Sequence, residues 1–458
     1  MRSKVLLLIF ISLSFASCKK WLDVKPTAQM SESELFSNEQ GFRDVMRGVY
    51  TKAAQRKLYG EMLTVSLMDV LARRYDNVLT NTFHDFYPAA TFNYSETSMQ
   101  TNISAIWSEM YGGIAQLNLL LKHIDGAKQL FASEQSFQRL KGEALGMRAF
   151  LHFDLLRMFA ASYTADANAK AIPYVKDFSV KPSASLTTTQ VIDNCISDLK
   201  SAEEVLKNDS TTGDSYNFSL WAIRATMARV YLYKGDASNA LSYADKVISS
   251  TLFRFVSAAE INASKPFRVL PSECIFSLYS YDLNATSDTY FTPTANGATL
   301  PNYHYLFLTE AKLNSIYETN VQGYGADPRV KLWWELEAGS TTRFLAKFRK
   351  VDNVIQYRMP VIRLSEMYLI AAEAATDVAT AKKYLDGFRV TGRYLPAFTG
   401  TTIEDVNAVI AKEYAKEYFG EGQLFYYYKR KNITIPGAGI SGNALFVFPM
   451  PQNEIEFR

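Results

Sequence analysis

Apolar positions recur with helical spacing in several separated stretches of this chain. Between Trp221 and Ile248, Ala225, Ala228 and Tyr231 fall on one stripe, Gly235 and Asp236 interrupt it, and Ala240, Leu241, Ala244 and Ile248 resume it. That spacing predicts two helices joined by a tight turn. Phe137 to Phe159 place Leu140, Ala144, Met147, Leu151 and Leu155 on one stripe and leave Arg148 and Arg157 for the surface. Pro360 to Phe388 repeat the design with Ile370, Ala371, Ala374, Ala381 and Leu385. Nearer the start, Ser31 to Arg56 predict a helix capped by Ser31 or Ser33, with Phe42, Val45, Met46 and Val49 inward. Another begins at about Asn102, carrying Ile106, Met110, Ile114, Leu117 and Leu121.

Two regions lack this period. Asp69 to Ser98 hold Phe83, Phe86, Tyr87, Phe92 and Tyr94 among Pro88 and several Asn and Thr, which predicts a long structured loop. After Thr251 come short runs rich in Tyr, Phe, Thr, Asn and Pro, the texture of an irregular lobe with some strand. Within it Arg329 to Glu337 alternate, with Val330, Leu332, Trp334 and Leu336 on one face. Read as a strand, this segment leaves Trp333 on the polar face, with Thr342 to Lys350 as its hairpin partner. Helix is expected again from Pro360 to about Tyr427. Trp107 and Trp221, in helices among apolar neighbours, are expected in the core.

The order Ala, Tyr, Gly, Ala-Leu, Ala over residues 225 to 244 resembles the tetratricopeptide signature. Such a unit cannot bury its own apolar face, so other helix pairs must stack beside it. The long non-repetitive segments between the pairs imply a helical scaffold carrying insertions. With 458 residues and 48% apolar content, the chain can bury a large core.

Charge adds little: 49 Lys and Arg stand against 46 Asp and Glu, with no basic stripe of the kind that meets nucleic acid. The N-terminus adds more. A short basic start precedes an apolar run from Val5 to Phe15, too short for the roughly 20 residues a membrane span needs, so it reads as an export signal. Ala16 and Ser17 before Cys18 resemble a bacterial lipobox, which predicts cleavage after residue 17 and a lipid anchor on Cys18. Cys195 and Cys274 lie beside apolar residues and read as buried free thiols, and His84, His123, His152 and His304 show no ligand spacing, so no metal and no cofactor is expected. Gly437 to Gly442 match GxGxxG, but Phe446-Val447-Phe448-Pro449 follow where a phosphate-binding helix would stand. No G-x-S-x-G, H-E-x-x-H or Walker A sequence is present. A glycosidase needs only two carboxylates brought together by folding, which the sequence leaves open.

GFRDVMRGVY, IWSEMYGGIAQLN (106 to 118), LKGEALGMRAFLHFDLLRMF (140 to 159), DPRVK (327 to 331), IRLSEMYLIAAEA (362 to 374), EYAKEYFGEGQLFYYYKR (413 to 430) and FPMPQNEI (448 to 455) follow one another in the order of the landmarks of a known family. In these, and in CKKWLDVKP after the lipobox, the chain resembles the SusD/RagB outer-membrane lipoproteins of Bacteroidetes. The resemblance implies a mostly α fold: tetratricopeptide-like helix pairs in a superhelical scaffold, packed against an irregular lobe with short strands. It implies one domain over 18–458, with 18–250 as its N-terminal half, 251–359 as the ligand-side lobe, and 360–458 as a C-terminal helix pair and tail. It implies no enzyme but a binding protein at the cell surface, capturing oligosaccharide or peptide for a SusC-like TonB-dependent transporter that meets the tetratricopeptide side. Two departures stand out: Lys19 and Lys20 replace an acidic export tag, and Glu421-Gly422-Gln423 replaces Glu-Gly-Arg.

Starch-binding members carry aromatic contacts in the segment after the first helices and in the irregular lobe. Here those stretches offer Arg73, Arg74, Tyr75, Asp76, Phe83, His84, Tyr87 and Tyr94, then Tyr281, Asp282, Tyr290, Tyr303 and Trp333. Exposed rings paired with Asn, Asp or Arg suit a sugar's CH faces and hydroxyls. The alternatives are peptide capture, a tetratricopeptide scaffold that binds only proteins, or packing for any single ring.

Overall fold

The N-terminal helices begin at residues whose side chains accept from otherwise unsatisfied backbone N–H groups. Asn38 caps α1 (Glu39–Ala53), Glu96 caps α2 (Thr97–Ile124) and Ser133 caps α3 (Glu134–Phe159). Thr187 and Gln190 form a capping box on α4 (Thr188–Leu206), and Ser219 caps α5 (Leu220–Lys234). Gly235 closes α5 in the left-handed region at φ 79°, and Asp236 caps α6 (Ala237–Ile248), so the predicted tight turn is present. The computed structural model describes residues 31–179, 181–209, 214–263, 268–292, 304–337, 340–351 and 354–456.

After α6 the chain enters an irregular lobe. It contains β1 (Cys274–Tyr279), α7 (Leu283–Phe291), β2 (Phe307–Thr309), α8 (Glu310–Tyr317), α9 (Pro328–Trp333), β3 (Trp334–Leu336), β4 (Thr342–Leu345) and β5 (Arg358–Arg363). β1 pairs antiparallel with β5, and β2, β4 and β3 form a second small sheet in that order. Helix then returns as α10 (Leu364–Ala374), α11 (Val378–Asp386), a π-helical turn over Gly387–Gly392, α12 (Ile403–Glu417) and α13 (Gln423–Lys431).

From α1 to α6 each helix packs on the next, and α6 then packs directly on α10, which packs on α11. The scaffold of stacked pairs is therefore continuous in space, and the lobe is inserted between two neighbouring pairs. Small residues set the spacing: a Cβ on Gly146 of α3 would lie 2.7 Å from the Phe218 ring and 3.0 Å from Ile223, too close for either to stay in place.

Several expectations are revised. Arg148 and Arg157 are buried, not on the surface. Arg148 clips α3 to α4 through Asp198 at 2.7 and 2.9 Å, and Arg157 pairs with Asp154. Arg229 and Glu366 make the same forked clip between α5 and α10, both bonds 2.6 Å. Residues 329–333 are helix, because Asp327 accepts from the Arg329 N–H and Pro328 at N1 starts a turn; only from Trp334 does strand form, paired with Thr342–Leu345. Pro360 lies in β5, the helix at the start breaks at Phe36, and the Asp69–Ser98 segment begins within a short helix at Leu67–Leu71 and contains another at Tyr87–Ala90. Trp107 is core, whereas Trp221 is half-buried with the Arg224 guanidinium 5.0 Å from its ring.

Where lobe and scaffold meet, charge is buried. Arg363 at the end of β5 donates to Glu421 at 2.9 Å and Glu417 at 2.5 Å. Arg393 donates to Glu273 at 2.9 and 2.7 Å and to Glu417 at 3.0 Å. Arg329 reaches Asp327 at 2.7 Å and Glu417 at 3.0 Å, and Arg389 reaches Glu413 at 2.8 Å. Lys347 bonds Glu421 and lies 4.0 Å from the centre of the Trp333 ring. Burial alone would raise the Glu417 pKa; Arg393, Arg363 and Arg329 override it and hold the carboxylate well below its ordinary range.

Glu417→Gln is expected to leave these guanidinium groups short of a countercharge and to lower the unfolding free energy by about 3–5 kcal/mol in urea titration. A loss under about 1 kcal/mol would mean the cluster tolerates the vacancy. His152 gives a pH prediction. Its Nδ1–H donates to Arg148 O at 2.8 Å, its Nε2 accepts from the Val175 N–H at 3.0 Å, and burial pushes its pKa down to about 3. The neutral ring's contribution is present above about pH 6.5, the ordinary imidazole value, and is lost as pH falls toward 3. The melting temperature of His152→Gln should fall less steeply with acid than that of the parent; parallel slopes would refute this.

Candidate functional site

β1 is buried from Cys274 to Leu278 and emerges at Tyr279, opposite Arg358 in the β1–β5 register. Ser280 fixes the exit, its N–H donating to Tyr357 O at 2.8 Å and its Oγ to Ala54 O at 3.2 Å. Tyr279 and Tyr357 then stack at 4.8 Å and 17°, and Tyr281 lies against Tyr357 at 6.2 Å and 21°. Tyr216, from the segment before α5, meets Tyr279 edge-on at 6.1 Å. Tyr279 and Tyr281 are 54% and 78% exposed, so this is a ring stack that the core does not consume.

Beside the stack opens a cleft of about 690 Å³. Val256, Val269, Leu270 and Leu332 supply apolar lining, and Arg254, Glu260, Gln356 and Arg358 supply polar groups. Arg254 and Glu260 form a forked pair at 2.8 and 2.9 Å, and the Glu260 pKa is held down at about 2, chiefly by the hydrogen bond from Arg254. The Arg358 guanidinium lies 4.2 Å from the Tyr216 ring centre and donates Nη1 to Ser215 Oγ. A concave apolar surface with aromatic rings and a few fixed polar groups can hold a ligand that has both CH faces and hydroxyls. Among the described residues no group of His, Cys, Asp and Glu is arranged to hold a metal ion.

The sequence-predicted residues divide. Trp333 is corrected: it is 0% exposed, its Nε1–H donates to Arg268 O at 2.8 Å, and it covers Lys347. Arg74, Tyr75, His84 and Tyr290 are buried as well, not exposed as a ring or charge for stacking on a sugar would be. Arg74 stacks 3.4 Å from the Phe419 ring centre, Tyr75 packs against Phe291 and Phe419, His84 bonds Tyr305 O at 2.9 Å, and Tyr290 donates to Glu61 at 2.7 Å. Arg74 docks the 69–98 segment onto the C-terminal part, and Tyr75 and His84 dock it onto the lobe. Asp76 serves the same joint, accepting from Thr309 N and Oγ1 at 2.9 and 2.7 Å, and Tyr94 donates to Leu445 O at 2.5 Å. Arg73, half-buried, lies 5.1 Å from the Phe92 ring centre; Tyr87 is half-buried and Phe83 is 84% exposed. Tyr281 and Asp282 are exposed at the edge of the tyrosine stack. Cys18 and Tyr303 lie outside the described residues.

Sequence reasoning passed over Tyr216, Tyr357 and Arg358. The available signal was Tyr279-Ser280-Tyr281 at a strand end facing Tyr357-Arg358, visible only once the two strands are paired.

Residues 20–232 match the SusD-like family described as starch-binding and associating with the outer membrane, and residues 338–435 match the SusD family. The chain belongs to the SusD/RagB family. It is 23% identical over 246 residues to a SusD-like protein of Bacteroides ovatus, a match spanning 52% of this chain and 41% of the relative. Thus it matches less than half the length of that curated relative. A SusD-like carbohydrate-binding protein of Bacteroides vulgatus superposes with TM-score 0.73 at 17% identity, covering 92% of this chain and 96% of the other. A laminarin-binding SusD-like protein superposes with TM-score 0.66 at 21% identity, covering 92% and 98%. These likenesses establish the fold. No helix among the described residues is long and apolar enough to cross a membrane.

Burial separates the two aromatic residues by experiment. Trp333→Ala is expected to cost about 3–5 kcal/mol of stability in denaturant unfolding, whereas Tyr281→Ala should stay within about 0.5 kcal/mol of the parent. Equal effects would contradict the placement of these rings.

Proposed function

We propose that the protein captures an oligosaccharide on the Tyr279, Tyr357 and Tyr281 stack and its cleft, and passes it to a SusC-like TonB-dependent transporter while held at the outer membrane by lipid on Cys18. The carrying observation is the stack itself: near-parallel rings left open to solvent beside a cleft with apolar lining. Pyranose CH faces stack on such rings, and the polar groups of Arg254, Glu260 and Gln356 can meet hydroxyls. The family's description as starch-binding and a fold shared with a laminarin-binding protein support this reading. The lipobox-like sequence before Cys18 supports the anchor. The proposed role is binding and release, with no bond made or broken.

Isothermal calorimetry of the full chain against starch, laminarin and xylan oligosaccharides tests the proposal. Saturable heat with at least one is expected, weakened about tenfold or more in a Tyr279→Ala, Tyr281→Ala double variant. Heat from peptide mixtures alone would replace glycan with peptide as the cargo, and copurification with a SusC-like barrel tests the delivery step.

A further inference from the structure

We infer that the cleft is built for an acidic oligosaccharide, with the carboxylate of a uronic-acid unit docked on Arg358. This deepens the glycan-capture reading and rests on it. Arg148, Arg229, Arg329, Arg363, Arg393 and Arg430 are buried or nearly so, and each lies within ion-pair distance of a carboxylate. Arg358 is half-buried in the cleft wall, and its one hydrogen bond to a described residue goes to a hydroxyl, Ser215 Oγ.

Its acidic neighbours are occupied elsewhere. Glu260 is forked with Arg254, and the two charges cancel. Asp214, beside Ser215 in the chain, accepts from Tyr216 N at 2.9 Å and Asn217 Nδ2 at 2.6 Å. Asp282 is exposed next to Tyr281, and among the described residues no ion pair joins it to Arg358. Among the described residues that line the cleft, Arg254, Glu260 and Arg358 leave a net charge of +1.

The guanidinium is also oriented. Nη1 is committed to Ser215 and the group lies over Tyr216, which leaves the Nε and Nη2 edge without a described partner. Those two parallel N–H groups form the fork that matches a carboxylate. Arg358 stands opposite Tyr279 in the strand register, which puts the fork on the same face of the β1–β5 pair as the tyrosine that would carry the sugar. Neutral sugars can use the rings but not the charge, so the arginine discriminates between the two classes.

Calorimetry of the full chain with oligogalacturonate, neutral malto-oligosaccharide and sulfated carrageenan oligosaccharide decides the matter. Oligogalacturonate should bind about tenfold or more tightly than the neutral chain, with the preference shrinking as salt rises. Arg358→Gln should erase the preference without shifting the melting temperature, while Tyr281→Ala weakens both classes. Arg358→Lys, which keeps the charge and loses the fork, should retain only part of the preference. Neutral glycan bound as tightly as uronate and unaffected by Arg358→Gln would overturn the inference and leave glycan capture standing. Preference for the sulfated chain over oligogalacturonate would also overturn the uronate assignment. Absence of binding to every glycan would remove the capture reading and this inference with it.

Discussion

The structure depends on a cluster of charges that no single segment could bury alone. Glu417 is shared by Arg363, Arg393 and Arg329, while Glu273, Glu413 and Glu421 complete the ring of countercharges. Desolvating such groups costs several kcal/mol each, offset only when all partners are in place. Glu273 precedes β1, Arg329 lies in α9, Arg363 ends β5, Arg393 follows the π-helical turn and Glu417 ends α12. Completing the cluster therefore requires lobe and scaffold to assemble together, which explains why DPRVK, the Ile-Arg of 362–363 and Glu421-Gly422 stand out as landmarks. Gln423, where the family pattern has arginine, accepts from Arg157 Nη1 at 3.2 Å. A second guanidinium there would face Arg157.

The direct packing of α6 on α10 gives the lobe an unusual freedom. Its two chain ends leave and rejoin the scaffold at helices that already touch, so more than a hundred residues can be elaborated without separating the stacked pairs. The scaffold answers to packing, with Gly146 and the alanines of α5 and α6 keeping axes close. The lobe carries the exposed pair Tyr279 and Tyr281.

Much of the fold was legible because helical period and small residues are local signals. The tight turn at Gly235-Asp236, the pairs at 220–248 and 364–386, and the irregular texture of the lobe all follow from short windows. Polarity misled at Arg148 and Arg157, where charge is carried inward because Asp198 and Asp154 wait there. Trp333 was misplaced because the alternation from Arg329 to Glu337 fits a strand, while Asp327-Pro328, a helix start, was the overriding signal. The candidate site was harder to read. Tyr279 and Tyr357 are far apart in sequence and become neighbours only through the β1–β5 register, and a lone tyrosine in an aromatic-rich chain carries no mark of exposure.

β5 joins two worlds in six residues: Arg358 stands in the cleft and Arg363 in the charge cluster. The strand that begins next to Tyr357 and pairs with Tyr279 is thereby anchored at its far end by buried ion pairs. A surface held this way is a template, not a jaw. Tyr279 and Tyr357 are already stacked on each other, so on the proposed reading less side-chain entropy would oppose docking there. On that reading, a ligand would leave this surface without the β1–β5 pair having to part.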